Sequence, residues 1–109
     1  MKTEVVSITT GASRFTDVTD AVVEFASACG GDGLVHVFAP HATAGLALME
    51  TGSGSEDDLG DTIERLLPRD DRYRHSHGSR GHGADHVLPA FVSPSLSIPV
   101  IDGRPAFGT

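Results

Sequence analysis

The chain reads as a small α+β domain, and three observations carry that reading. Apolar residues recur at helical spacing in two separate stretches. Short β-branched runs, too brief for helices, lie before, between and after them. Glycine, proline and Asp-Gly breaks punctuate the transitions. The expected architecture is a mostly antiparallel sheet packed with two main helices and a short third, with residues 1–109 forming one domain.

Glu4 to Thr9 is rich in β-branched residues and predicts a first strand, broken at Gly11. Thr16 or Asp17 can cap a helix in which Val18, Val22, Phe25, Ala26 and Cys29 share one face. Gly30-Gly31 supplies its left-handed stop. Leu34 to Phe38 predicts a second strand ended by Pro40, and Leu46 to Glu50 a third. Ser55, followed by Glu56, Asp57 and Asp58, predicts a cap and an acidic first turn, favoured by the helix dipole. Leu59, Ile63, Leu66 and Leu67 give this second helix its apolar stripe, and Pro68 stops it. Arg69 to Asp85 has almost no apolar residue and no period, so it is expected to be an irregular loop. His86 to Val92 predicts a short helix, with Pro89 tolerated in its first turn. Leu96, Ile98 and Val100 alternate with polar or small residues as a strand does, and Pro99 predicts an edge or bulged strand. Asp102-Gly103 is a hairpin turn signal, with a return strand starting over Arg104 to Thr109.

Net charge and residue usage exclude several functions. A net charge of −7, with Lys2 as the only lysine, argues against a nucleic-acid binder, which needs a basic stripe. No apolar run approaches the roughly 20 residues that span a bilayer, and the start lacks a signal-peptide core. The expected address is therefore the cytoplasm, without a membrane partner. Cys29 is the only cysteine, so it forms no intramolecular disulfide and is expected in the core. A chain of 109 residues buries a thin core, which oligomerisation would relieve.

The histidines and arginines are unevenly placed. Arg65, Arg69, Arg72, Arg74 and Arg80 fall in one stretch with His75 and His77, and His82 and His86 follow directly. His36 shares a strand face with Leu34 and Phe38 and is expected to be partnered and semi-buried. His41 lies in Pro40–Gly45, a connection whose glycine lets backbone approach a ligand closely. Three imidazoles gathered from separate segments suit a late transition metal with one open position. Composition alone leaves three readings open for the loop: a metal site, a solvated histidine loop, or acid–base groups without metal.

Several segments, taken in order, carry a family resemblance. His41-Ala42-Thr43-Ala44-Gly45 with Glu50 resembles the His-Thr-Thr-Ala-Gly…Glu segment of the YjbQ-like family. Tyr73-Arg74-His75 resembles its Tyr-x-His, and His82 to His86 its Asn-x-x-Ala-His. Pro94 to Val100 with Asp102-Gly103-Arg104 resembles its later hairpin, and Phe107-Gly108-Thr109 the opening of Leu-Gly-Thr-Trp-Gln. The resemblance implies a compact α+β fold and homotrimers with histidine-rich sites between or beside subunits. It also implies a secondary thiamine-phosphate synthase activity. It places His41, His75 and His86 on the family's histidines, as catalytic or metal-binding groups, and Glu50 on its acid. This sequence departs from the pattern at Ala42, where threonine is usual, at His82, where asparagine is usual, and at Asp85, where alanine is usual. The Trp-Gln and last strands are expected beyond Thr109, so the domain is expected to lack those strands.

The leading expectation is thus an enzyme joining hydroxymethylpyrimidine diphosphate to thiazole phosphate, with release of pyrophosphate. Arg72, Arg74 and Arg80, with a divalent cation such as zinc or magnesium, would neutralise the leaving group. One alternative is a metal-dependent hydrolase in which Glu50 or Asp85 handles water. Another is a trimeric metal- or ligand-binding module without turnover.

Overall fold

The computed structural model describes residues 1–108, and Thr109, the last residue of the expected return strand, lies outside the described residues. The chain divides into two compact units. One combines residues 1–37 with the stretch from Ser97 onward, and the other is the intervening segment 38–96.

The first unit is built on helix α1 (Thr19–Cys29) and a three-stranded sheet of β1 (Gly33–Phe38), β2 (Ser95–Ile101) and β3 (Arg104–Pro105) in the order β1-β2-β3. Asp17 accepts the backbone N–H of Thr19 at 2.9 Å, satisfying an amide that the helix start leaves open. Gly30, at φ 67°, ends the helix and donates its N–H to Ala26 O at 3.0 Å. Val22 and Ala26, one helical turn apart, are buried against Val35 of β1 and Ile98 and Val100 of β2, with Phe25, Val37 and Phe107 packed around them. Each buried Val or Ile contributes about 1.5–3 kcal/mol, so this small cluster is the main apolar support of the unit. Cys29, expected in the core, is only half-buried and is not part of this cluster.

β2 and β3 pair antiparallel with Val100 opposite Pro105 and Ile101 opposite Arg104. Asp102 (φ 50°) and Gly103 (φ 73°) are both left-handed, the requirement of a two-residue type I′ hairpin. This turn is stitched to the end of α1: Gly103 N donates to Gly31 O at 2.7 Å and Asp102 N to Asp32 Oδ1 at 2.8 Å. A Cβ on Gly103 would stand 3.4 Å from Gly30 Cα, so the two glycines permit the close approach.

Several expectations are corrected. Pro99 lies in the central strand rather than an edge or a bulge. Its missing N–H falls where β3 runs out, and its carbonyl still accepts from Ala106 N at 2.8 Å. Glu4–Thr9 and Leu46–Glu50 form no strand. β-branched composition favours an extended chain, but a strand needs a neighbour's ladder, and neither segment has one among the described residues. His36 is exposed rather than semi-buried, beside Leu34 (74% exposed) and Phe38 (60%), because β1 turns Val35 and Val37 inward. Its Nδ1 lies 2.8 Å from Ser97 Oγ.

In the second unit, α2 (Ser55–Leu66) starts with Ser55 inside the helix and Gly54, at φ 91°, as its N-cap. Glu56 instead reaches back to accept the Gly52 N–H at 3.1 Å. Leu67 is buried directly after the helix, and Pro68 follows. The short helix begins four residues before its expected start: α3 spans His82–Val87, continued by a 3-10 turn over Leu88–Ala90. No helix among the described residues is long and apolar enough to cross a membrane.

Candidate metal centre

The site grows out of how α3 is anchored. After Pro68, the Tyr73 hydroxyl donates to Pro68 O at 2.8 Å. Arg72 grips Asp70 through three contacts of 2.7–3.0 Å, which turns the chain back on itself. The Arg72 hydrogen bonds, aided by its charge and that of Arg80, hold the Asp70 carboxyl below the usual carboxylate range. Gly81, at φ 85°, then caps α3, and Asp85 N donates to Gly81 O at 3.2 Å. Gly83 is buried: a Cβ there would meet Tyr73 Cβ at 2.5 Å and His75 O at 3.0 Å. The absence of that side chain lets α3 lie directly on the strip that carries His75. Asp85 pairs with Arg69 Nη2 at 3.0 Å and ties the helix to the residues that follow α2.

With α3 so placed, His82 and His86 stand one turn apart on one helix face. Their Nε2 atoms are 2.9 Å apart. His75 closes the group from the facing strip, its ring centroid 4.4 Å from that of His86 and 5.2 Å from that of His82. One ring nitrogen from each of His75, His82 and His86 lies within 4.8 Å of the others. His77 packs against His75 at 4.1 Å between centroids without joining the group. Poorer solvation first, then the His77 and His86 rings, hold the His75 imidazole below its usual 6.5.

Three imidazoles converging in this way suit a late transition metal. At Zn–N bonds of about 2.0–2.1 Å, tetrahedral ligand nitrogens stand roughly 3.3 Å apart. The 2.9 Å contact between His82 and His86 is a hydrogen bond as it stands, and both nitrogens would have to turn a lone pair to an ion for His75, His82 and His86 to hold one. A cavity of about 260 Å3 opens beside it, lined among others by Asp70, Asp71, His75, His77 and Arg80.

The structure brings together His75, His82 and His86, of which the resemblance implies His75 and His86 and marks His82 as a departure from the family pattern. The signal for His82 was the His-x-x-x-His spacing. It was legible only if a helix began before position 86, and the two flanking glycines read as loop. His41 and Glu50 stand outside the group, His41 in the Pro40–Gly45 connection and Glu50 exposed. Among the expected phosphate-binding arginines, Arg80 lines the cavity, Arg74 is exposed, and Arg72 is committed to Asp70.

Residues 4–109 match the model of the UPF0047 protein YjbQ-like family. A UPF0047 protein of Mycobacterium tuberculosis is 61% identical over 109 residues, covering 100% of this chain and 81% of the relative. One from Archaeoglobus fulgidus is 32% identical over 93 residues, covering 85% of this chain and 71% of the relative. A hypothetical protein of Aeropyrum pernix of known structure superposes with a TM-score of 0.77 at 32% identity, covering 86% of this chain and 70% of the other. A protein of the yjbq/upf0047 family from Clostridium acetobutylicum shares the fold at a TM-score of 0.79 and 24% identity, covering 93% and 78%. With a whole-chain match and relatives at this identity, the chain belongs to the YjbQ-like UPF0047 family.

Proposed function

We propose that this protein holds a late transition metal, zinc in the first instance, on His75, His82 and His86, and acts there on phosphorylated small molecules. The observation that carries the reading is the convergence of the three ring nitrogens beside an open cavity that Arg80 lines. The nitrogen donors favour zinc over magnesium, which takes oxygen ligands. A bound divalent cation supplies Lewis-acid charge to a phosphoryl oxygen. Arg80 offers a guanidinium fork that matches phosphate geometry, and Arg74 adds positive charge in the same stretch.

The reaction we infer is the one implied by the resemblance, formation of thiamine phosphate. The carbon–oxygen bond to pyrophosphate breaks, and its electron pair leaves with the pyrophosphate. The thiazole nitrogen lone pair forms the new carbon–nitrogen bond, so no proton need be removed. That chemistry calls for neutralisation of the leaving group more than for a base, which is what a cation and an arginine supply. We further propose assembly as a homotrimer. Support comes from the apolar side chains that one chain leaves exposed, including Leu34 at 74%, Phe38 at 60% and Ile101 at 58%.

The test is calorimetric titration of chelator-treated protein with zinc at pH 7.5, followed by pyrophosphate release from the two substrates with His86→Ala as control. Zinc uptake with turnover that His86→Ala abolishes supports the reading. Uptake without turnover makes the protein a binding module, and no uptake ends the metal centre. Light scattering that shows an 11.4 kDa species alone removes the trimer.

A further inference from the structure

His41 lies outside the three-imidazole group, and its own hydrogen bonds decide what it can do. The loop that carries it is closed at its base twice: Ala39 N donates to Pro94 O at 2.8 Å, and Leu46 N to Ser93 O at 2.7 Å. Gly45 lies so close to Val92 that a Cβ there would meet the Val92 carbonyl oxygen at 2.5 Å, so the clasp admits only glycine. Within the loop, His41 N donates to Ala39 O at 2.8 Å. The Thr43 backbone N–H donates to His41 Nδ1 at 3.2 Å, and Thr43 Oγ1 lies 3.0 Å from the same nitrogen.

A backbone N–H can only donate, so Nδ1 must present its lone pair to Thr43. In a neutral imidazole the single proton then sits on Nε2. The Thr43 hydroxyl, at 3.0 Å from the same nitrogen, can share that one lone pair in a three-centre contact compatible with this tautomer. A metal-ligating histidine is wired the other way: one nitrogen gives its lone pair to the ion, and the other donates its N–H to a carbonyl, carboxylate or water. In His41 the Nδ1 lone pair is already taken and Nε2 carries the proton. The ring is exposed, and the Ala42 and Gly45 amides on the same loop have no hydrogen-bond partner among the described residues.

We propose that His41 donates its Nε2–H to a phosphate oxygen of the ligand and takes no part in the metal shell, Thr43 being the residue that sets its tautomer. The phosphate rests on the reading of the site given above, whereas the donor role rests on the loop alone.

The experiment compares wild type, His41→Ala, His41→Gln and His86→Ala by calorimetry with zinc and with inorganic phosphate, the latter on zinc-free and zinc-loaded protein. Nitrogen-15 spectra of histidine-labelled protein report the tautomer. Zinc affinity is expected to be unchanged in both His41 variants and lost in His86→Ala. Phosphate affinity is expected to fall about tenfold or more in His41→Ala, the loss of one hydrogen bond to a charged group. It should recover in part in His41→Gln, whose side-chain amide restores an N–H donor. The His41 Nε2 signal should be of the protonated type, with and without zinc. Any of four results overturns the inference: zinc affinity falling in His41→Ala as it does in His86→Ala, a proton on Nδ1, phosphate affinity unchanged in His41→Ala, or no phosphate binding by wild type. A wild-type protein that takes up no zinc ends the metal centre alone, because the spectra and the zinc-free phosphate titration still decide His41.

Discussion

The unit formed by α1 and the sheet and the unit that bears the histidines are held by different means. In the first, Val22, Ala26, Val35, Ile98 and Val100 exclude water together, and every one of them sits at a helical or alternating position. In the second, α2 buries no residue of its own, and the fully buried positions of α3 are Gly83 and Ala84. There the structure depends on close approach at Gly45, Gly81 and Gly83 and on the Tyr73–Pro68 hydrogen bond, with the partly exposed Arg69–Asp85 and Arg72–Asp70 pairs adding little. A core of apolar side chains is degenerate, since many residues of similar size fill it. A contact that only a missing Cβ allows is specific. The difference teaches that binding and stability should respond to different substitutions.

The sharpest way to break that comparison is at the histidines. His82→Ala or His86→Ala is expected to lower zinc affinity by more than the roughly 100-fold typical of outer-shell partners, with little change in the melting temperature of zinc-free protein. His77→Ala should cost much less, since its ring touches His75 without joining the group. An equal loss in His77→Ala would mean that the cluster binds differently from the arrangement described. The converse substitution is Ile98→Ala, at a side chain only 4% exposed. It should cost about 2–5 kcal/mol in urea denaturation and leave zinc stoichiometry intact in the protein that remains folded.

Gly83→Ala probes the close contact directly. The added methyl meets Tyr73 and the His75 carbonyl, so α3 must move away. Zinc affinity is expected to drop about 10–100-fold, as for a displaced supporting group, read by calorimetry alongside circular dichroism that stays native.

A smaller effect is the pH dependence of the zinc-free protein. His75 is held below its usual 6.5 in the folded chain, so the unfolded chain takes up that proton first as pH falls. Stability should therefore decline as pH drops from about 6.5 toward the folded value and then level off. Urea midpoints at pH 7.5 and 5.5 measure this, and His75→Ala should flatten the slope. The least effect is expected from Arg69→Ala, which removes a partly exposed ion pair worth at most about 1 kcal/mol. A larger loss would show that the pair, rather than Gly83, sets the position of α3.

Much of this was legible in the residues themselves. The 3.6-residue period of Val22 and Ala26, the alternation of Ile98 and Val100, the Gly30 stop and the Asp102-Gly103 hairpin are local rules, and each appears where the sequence puts it. The choice of His75 and His86 comes from the family resemblance rather than from spacing, and the cluster adds His82 to them. What the sequence could not decide depends on neighbours distant along the chain. Glu4–Thr9 has the composition of a strand but no ladder to join among the described residues, and Pro99 is tolerated in a central strand where the two-residue β3 runs out. His82 joins the cluster because Gly83 lets α3 lie against Tyr73, and the His41 Nδ1 lone pair is turned to Thr43 by the folded loop. Periodicity is written in side-chain order, whereas the partner of a hydrogen bond, and the lone pair that remains free, are fixed only when the folded backbone brings the two groups together.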